Sequence, residues 1–288
     1  MSQIVISGLA IGCIYALVSL GFVITFKSVG ILNFAYGELV MLGAYLGLTF
    51  VTIAGAPQVL GLVLVLVAMT VIGVGFAYGV YYPLRNKPTR TVVIATIGVS
   101  IALQALALLI WGPYPKSLPT FGGSDPIHVL GVSILPHNLF IFGITVAVMI
   151  ALYFLYARTS VGWKMQAVAQ DVEAARLMGI DVTFIIILTW MLSASLAGLA
   201  GYLLAPLFFI TTTVGFGAML KGFAACIIGG FGSLQGAVIG GLFVGVAESL
   251  LAGYVSTAYK DVLTFGLLIL ILILLPQGLF GEKIGEKV

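Results

Sequence analysis

Few residues of this 288-residue chain have side chains suited to chemistry, because 61% of it is hydrophobic and only 7% is charged. Glu38 and Glu248 sit within or beside apolar runs long enough to cross a bilayer. An ionisable group at that depth is costly, and by default it marks a pathway, a relay or a pairing partner. Glu38 lies near an expected membrane boundary, where it could equally cap a helix start, and Glu248 lies in the last third of its run. Asn33 and Tyr36 add polar groups just before Glu38. His128 and His137 flank a loop without metal-ligand spacing, so no metal site is expected. Cys13 and Cys226 lie in apolar runs and read as small buried hydrophobes. No catalytic residues are expected: there is no Ser/His/Asp set and no G-x-x-x-x-G-K-[ST] loop for ATP. Nucleic acid as a partner is excluded by the lack of an extended basic surface.

The second group with chemical potential is residues 158–182, RTSVGWKMQAVAQDVEAARLMGIDV, which hold three basic and three acidic residues. Apolar runs flank them, so they form a water-exposed loop. Asp171 is a good N-cap and Gly179 a good helix stop, with about two turns between them. Glu173 and Arg176 are spaced to pair. Asp171, Ala174, Ala175 and Met178 share a face that is small in its middle, open to close approach by another protein. A solvated loop with an incidental amphipathic turn accounts for the same spacing.

The elements that must position these residues are membrane helices, with membrane lipid as their surroundings. A crossing needs about 20 apolar residues. Such runs occur near 4–26, 39–53, 59–81, 92–111, 138–156, 184–204 and 236–251, with a last one ending near 275. The expected fold is all-α: one polytopic membrane domain, 1–288, of about eight to nine helices with broken or re-entrant elements. One such element is 28–38, too polar to face lipid and too apolar for a free loop. Another is 218–232, interrupted by Lys221 and ending in glycines. Residues 112–136, rich in proline and glycine, read as an ordered, irregular loop. Placing 158–182 in the cytoplasm puts nine of the twelve basic residues inside, Lys283 and Lys287 included, and leaves Lys116, Lys221 and Lys260 outside. By the positive-inside rule the N-terminus is then outside and the C-terminus cytoplasmic. No cleavable signal is expected. Gly229, Gly232, Gly236, Gly240, Gly241 and Gly245 would make a close-packing helix face, and the glycine spacing of 37–47 is echoed at 236–245, a pattern seen in transporters built from repeats.

Several stretches resemble one family. Ala169, Asp171, Glu173, Ala174, Ala175, Gly179 and Ile180 resemble the coupling loop of ABC-importer permeases, most closely the H-type subunit of the branched-chain amino-acid permeases. LNFAYGEL at 32–39 resembles that family's N-terminal signature. AMLKGFAA at 218–225, GGFGSLQGAVIGG at 229–241, YKDV at 259–262 and PQGLFG at 276–281 continue the likeness. Where the family usually carries arginine this chain has Gln166, which leaves one charged contact to the ATPase open.

The resemblance implies a type II-like importer permease in a bacterial inner membrane. It implies partners: a second related permease in a heterodimer, two ATPase subunits and an external binding protein. ATP and Mg²⁺ would sit on the ATPase, with no cofactor on this chain. It implies branched-chain amino acids as cargo and a coupling role for Gln166, Ala169, Asp171, Glu173, Ala174, Ala175, Arg176, Met178, Gly179 and Ile180. Asn33, Tyr36, Glu38 and Glu248 are the pathway candidates. Related permeases carry urea, amides or other amino acids. A secondary transporter coupled to ions through Glu248 is the rival class, and an ion channel lacks the rings of carboxylates it would need.

Overall fold

In a computed structural model of the chain, the structure describes residues 2–123, 125–129, 132–230, 232–257, 259–275 and 278–280. Phe231, the Pro276–Gln277 pair and the tail with Lys283 and Lys287 lie outside the described residues, as does the side chain of His128. Among the described residues twelve α-helices follow one another: α1 (Ser2–Val29), α2 (Tyr36–Gly47), α3 (Gln58–Phe76), α4 (Tyr82–Leu84), α5 (Thr89–Trp111), α6 (Pro136–Arg158), α7 (Ser160–Gln170), α8 (Val172–Leu177), α9 (Val182–Leu204), α10 (Val214–Gly229), α11 (Leu234–Tyr254) and α12 (Lys260–Leu274). Two of them continue through wide i→i+5 turns, α2 through Leu48–Ile53 and α3 through Ala77–Tyr81 into α4. The spans Tyr36–Ile53 and Gln58–Leu84 are thereby lengthened, and seven helices among the described residues are long and apolar enough to cross a membrane. The sixteen-residue α10 and fifteen-residue α12 are shorter.

Among the described residues the regular structure is helical apart from one small sheet, which the sequence reading omitted. Ile127–Val129 (β1) and Val132–Ile134 (β2) pair antiparallel, as a small hairpin inside the 112–136 loop. A second expectation also changes. Residues 218–232 do not form a broken helix: α10 runs unbroken to Gly229, and Gly230, at φ 102°, turns the chain toward α11. Lys221 leaves that helix intact because its ammonium is paired within the bundle.

α1 is the central element, buried along most of its length and packed by α6, α9, α10 and α11. It has no wet face, so it carries no charge before Lys27. Glycines set how near its neighbours come. A Cβ on Gly12 would meet the backbone of Leu242 at 2.8 Å, and one on Gly245 would collide with the backbone of Gly12. The α2–α9 crossing is built the same way, since a Cβ on Gly43 would collide with Gly198. In lipid there is little hydrophobic drive between helices, so such close backbone approach and its dispersion contacts supply the association.

Two ends of the bundle are defined by contacts. At one end the Gln58 amide donates to the carbonyls of Pro119 and Thr120, Tyr202 donates to the Gln58 carbonyl, and Lys116 pairs through its backbone with Ile210. His137 meets the Leu203 carbonyl there at 3.0 Å. At the other end lie Lys27, whose side chain reaches over Gly232, and the elbow at Thr159. Phe280 is tied there too, its N–H donating to the Gly229 carbonyl. The α7–α8 segment belongs to this second end, called here the Arg158 side.

Candidate functional site

The first candidate is the segment after α6. Thr159 ends that helix by donating to the Leu155 carbonyl at 2.6 Å and starts the next by accepting from the Gly162 N–H at 3.1 Å. The elbow needs glycine at 162, because a Cβ there would collide with the Leu155 carbonyl. The chain then forms α7, an eleven-residue amphipathic helix that the spacing argument missed. Its Gly162, Met165 and Val168 are buried at i, i+3, i+6, a signal readable in the sequence.

Asp171 divides α7 from α8. Its carboxylate accepts from the N–H groups of Glu173 and Ala174 at 2.8 and 3.0 Å. At the far end Gly179 has φ 77°, its N–H reaches the Arg176 carbonyl, and the Ile180 N–H reaches the Ala175 carbonyl. Those two bonds are a Schellman ending, with Ile180 turned partly inward as its apolar contact. A six-residue helix is too short to persist unaided, so both caps are needed to present its outer surface.

The expected small face does not survive intact. Ala175 is 3% exposed and packs into the bundle, while Ala174, Glu173 and Arg176 look outward. The outer surface is instead apolar at its tip: Leu177 is 89% exposed and Met178 82%. The reason is that α8 is held from below by α7 and α9, which consumes one side of the predicted stripe. Glu173 and Arg176 form no ion pair among the described residues. Gln166 is exposed on α7, and its amide donates to the Tyr156 carbonyl at 2.9 Å, which fastens α7 to α6. Ala169 is exposed on α7.

The second candidate is the break between α1 and α2. α1 stops at Val29, Gly30 takes φ 69°, and the chain stays irregular until Tyr36. Irregular backbone is tolerable inside a bundle only when its polar groups find partners. Asn33 accepts from the Ala35 N–H at 3.0 Å, and the Phe34 N–H donates to Thr96 on α5 at 3.2 Å. Glu38 does not cap α2. It lies in the first turn, 1% exposed, and accepts from the Gln104 amide of α5 at 3.4 Å, with Ser100 as a further polar neighbour. Thr96, Ser100 and Gln104 stand at i, i+4, i+8, a polar stripe about 12 Å long. That spacing was in the sequence and was overlooked. Asn33 Nδ2 and Glu38 Oε2 are buried without a protein partner. Tyr36 points elsewhere: its ring packs on Phe22 of α1 at 4.5 Å and its hydroxyl fills the space over Gly21.

Glu248 belongs to a third, separate cluster. It accepts from Lys221 at 2.5 Å and from the Tyr15 hydroxyl at 2.8 Å. Lys221 also meets Asp261 at 2.9 Å, and Lys260 lies 3.5 Å from Glu248. Two cations and two carboxylates join α10, α11 and α12. Lys221, counted on the external side in the charge reading, is 8% exposed and neutralised by Glu248 within the bundle. No group of metal-ligating side chains occurs among the described residues.

Comparison with known proteins fits this architecture. Residues 4–272 match the family described as branched-chain amino acid transport system / permease component. The chain belongs to that family. It is 37% identical, over 99% of its length and 97% of the relative's, to the high-affinity branched-chain amino acid transport system permease protein LivH of Salmonella typhimurium. Identity to the corresponding protein BraD of Pseudomonas aeruginosa is 35%, over 99% and 97%. A probable branched-chain amino acid transport permease protein LivH of Methanocaldococcus jannaschii is 30% identical over 92% of this chain and 88% of its own. No solved structure matches. The chain is therefore a multi-pass membrane permease.

Proposed function

We propose that this permease is the membrane subunit of an ATP-driven importer of branched-chain amino acids, and that α7 and α8 dock a separate ATPase. The family match supports the cargo and the importer class. The observation that carries the docking role is the outer tip of α8. Leu177 and Met178 stand almost fully exposed on a helix capped at both ends, at the Arg158 side of the bundle. Exposed apolar side chains on a rigid, water-facing helix fit a protein partner. Lys27, Arg85, Arg90, Lys164 and Arg176 share that side with Arg158, which supports a cytoplasmic location in a bacterial inner membrane. The partner ATPase would hold ATP and Mg²⁺, so this chain does no chemistry of its own. A related second permease and an external binding protein complete the assembly.

Cargo would pass along the polar stripe of α5 and the buried atoms of Asn33 and Glu38. Glu248 is spoken for by Lys221 and Tyr15, which weighs against ion coupling. The test is co-purification in mild detergent of the wild type and of Leu177→Asp. The wild type is expected to retain a P-loop ATPase and the variant to lose it with unchanged thermal stability, since Leu177 is 89% exposed. A wild type that emerges alone, or a variant that keeps the ATPase, overturns the docking role.

A further inference from the structure

We infer that the groove between α6 and α11 is a binding site for one anionic phospholipid from the leaflet on the Arg158 side. A cavity of about 760 Å³ lies there, floored by α1 and closed at one end by α7. Its lining changes character along its length. Lys27, Gln166, Ser233 and Gln235 stand at the Arg158 end, whereas Leu20, Met149 and Val238 line the deeper part. From Leu20 to Lys27 the helix rises about 10 Å, enough for the upper part of an acyl chain below a head group. Tyr153, 58% exposed, and Ile239, 41% exposed, form the lips. At these positions on membrane-spanning helices the groove opens sideways, toward lipid.

The polar end carries positive potential from two sources. Lys27 has no carboxylate within ion-pair distance among the described residues. The N-terminus of the twenty-one-residue α11 begins at the same place, and Ser233 caps only its Gly236 N–H there. Helix N-termini favour phosphate because their first N–H groups are free and the dipole is positive. Tyr156 also lines the cavity and is 8% exposed, its hydroxyl buried among protein atoms. Basic pockets between transmembrane helices take anionic head groups in this way. Since Gln166 ties α7 to α6 beside the cavity, the lipid would brace the base of the docking segment.

The experiment uses the whole transporter complex in nanodiscs of phosphatidylethanolamine, with or without phosphatidylglycerol. Lipid retained after transfer to detergent is measured by native mass spectrometry for the wild type, Lys27→Gln and Ile239→Trp, each checked for unchanged thermal stability. Phosphatidylglycerol is expected to be retained over phosphatidylethanolamine, and Lys27→Gln to reduce that preference about fivefold, which corresponds to about 1 kcal/mol for one lysine at an anionic surface. Ile239→Trp, which fills the groove, should abolish retention of either lipid. Excess inorganic phosphate should displace nothing. Equal retention of both lipids, retention indifferent to either substitution, or displacement by phosphate alone would each overturn the inference; the last outcome would mark a free-anion site.

Discussion

Replacing Lys221 with methionine should destabilise the permease more than replacing both Lys221 and Glu248. In the wild type the Glu248 carboxylate is 3% exposed and held by Lys221 at 2.5 Å and Tyr15 at 2.8 Å, with Lys260 more distant at 3.5 Å. Removing Lys221 leaves that carboxylate buried with one hydroxyl and one loosely placed cation. Breaking a buried pair on one side costs about 3–5 kcal/mol. Lys260 offsets part of this, so about 3 kcal/mol is expected. At about 2–4 °C per kcal/mol the melting temperature should fall by roughly 6–12 °C. Glu248→Gln should cost less, because Lys221 keeps Asp261 at 2.9 Å. The double variant leaves no buried carboxylate without its partner and should exceed Lys221→Met in stability, a coupling of about 2 kcal/mol or more. The assay is thermal denaturation followed by tryptophan fluorescence in nanodiscs, with size-exclusion recovery as a control. If Lys221→Met melts within about 2 °C of wild type, or if the single losses simply add, the cluster is not a paired structural joint. The same variants speak to ion coupling: ATP-driven uptake should persist in a folded double variant.

Two further outcomes are expected. Glu38→Gln and Gln104→Ala should each lower uptake at least severalfold while leaving co-purification of the ATPase intact, measured as substrate uptake in proteoliposomes; normal uptake in both would remove α5 from the pathway. Asp171→Ala deletes the two bonds to Glu173 and Ala174 and should cost about 1 kcal/mol of local stability. Hydrogen exchange should accelerate in 172–177 but not in α9, and ATPase affinity should drop with it. Exchange unchanged in 172–177 would show that packing alone holds α8.

Much of the α8 segment was legible from residue types alone. Asp171 and Gly179 mark the ends of α8 because capping is a local matter, settled within a few residues of backbone. The membrane spans were legible for a similar reason: a bilayer demands a fixed length of apolar chain from each helix, whatever its neighbours. The break at 30–35 could be read from Gly30 and Asn33 interrupting an apolar run.

Which side of each helix meets which neighbour was not legible, because it depends on helices far apart in the chain. Ala175 and Ala174 are equivalent in the sequence, yet only packing of α8 over α7 and α9 buries one and exposes the other. Lys221 looked like a charge belonging to water until Glu248, twenty-seven residues on, met it across the α10–α11 contact. Glu38 acquired its partner from Gln104 by the docking of α2 on α5. Composition and local spacing thus determined that the chain spans a membrane, where it turns and where a capped helix faces water. Tertiary structure alone decided which buried charges are neutralised and which polar atoms stay unpaired. In a low-dielectric interior a charge is tolerable only beside its partner, and only the folded bundle brings partners together.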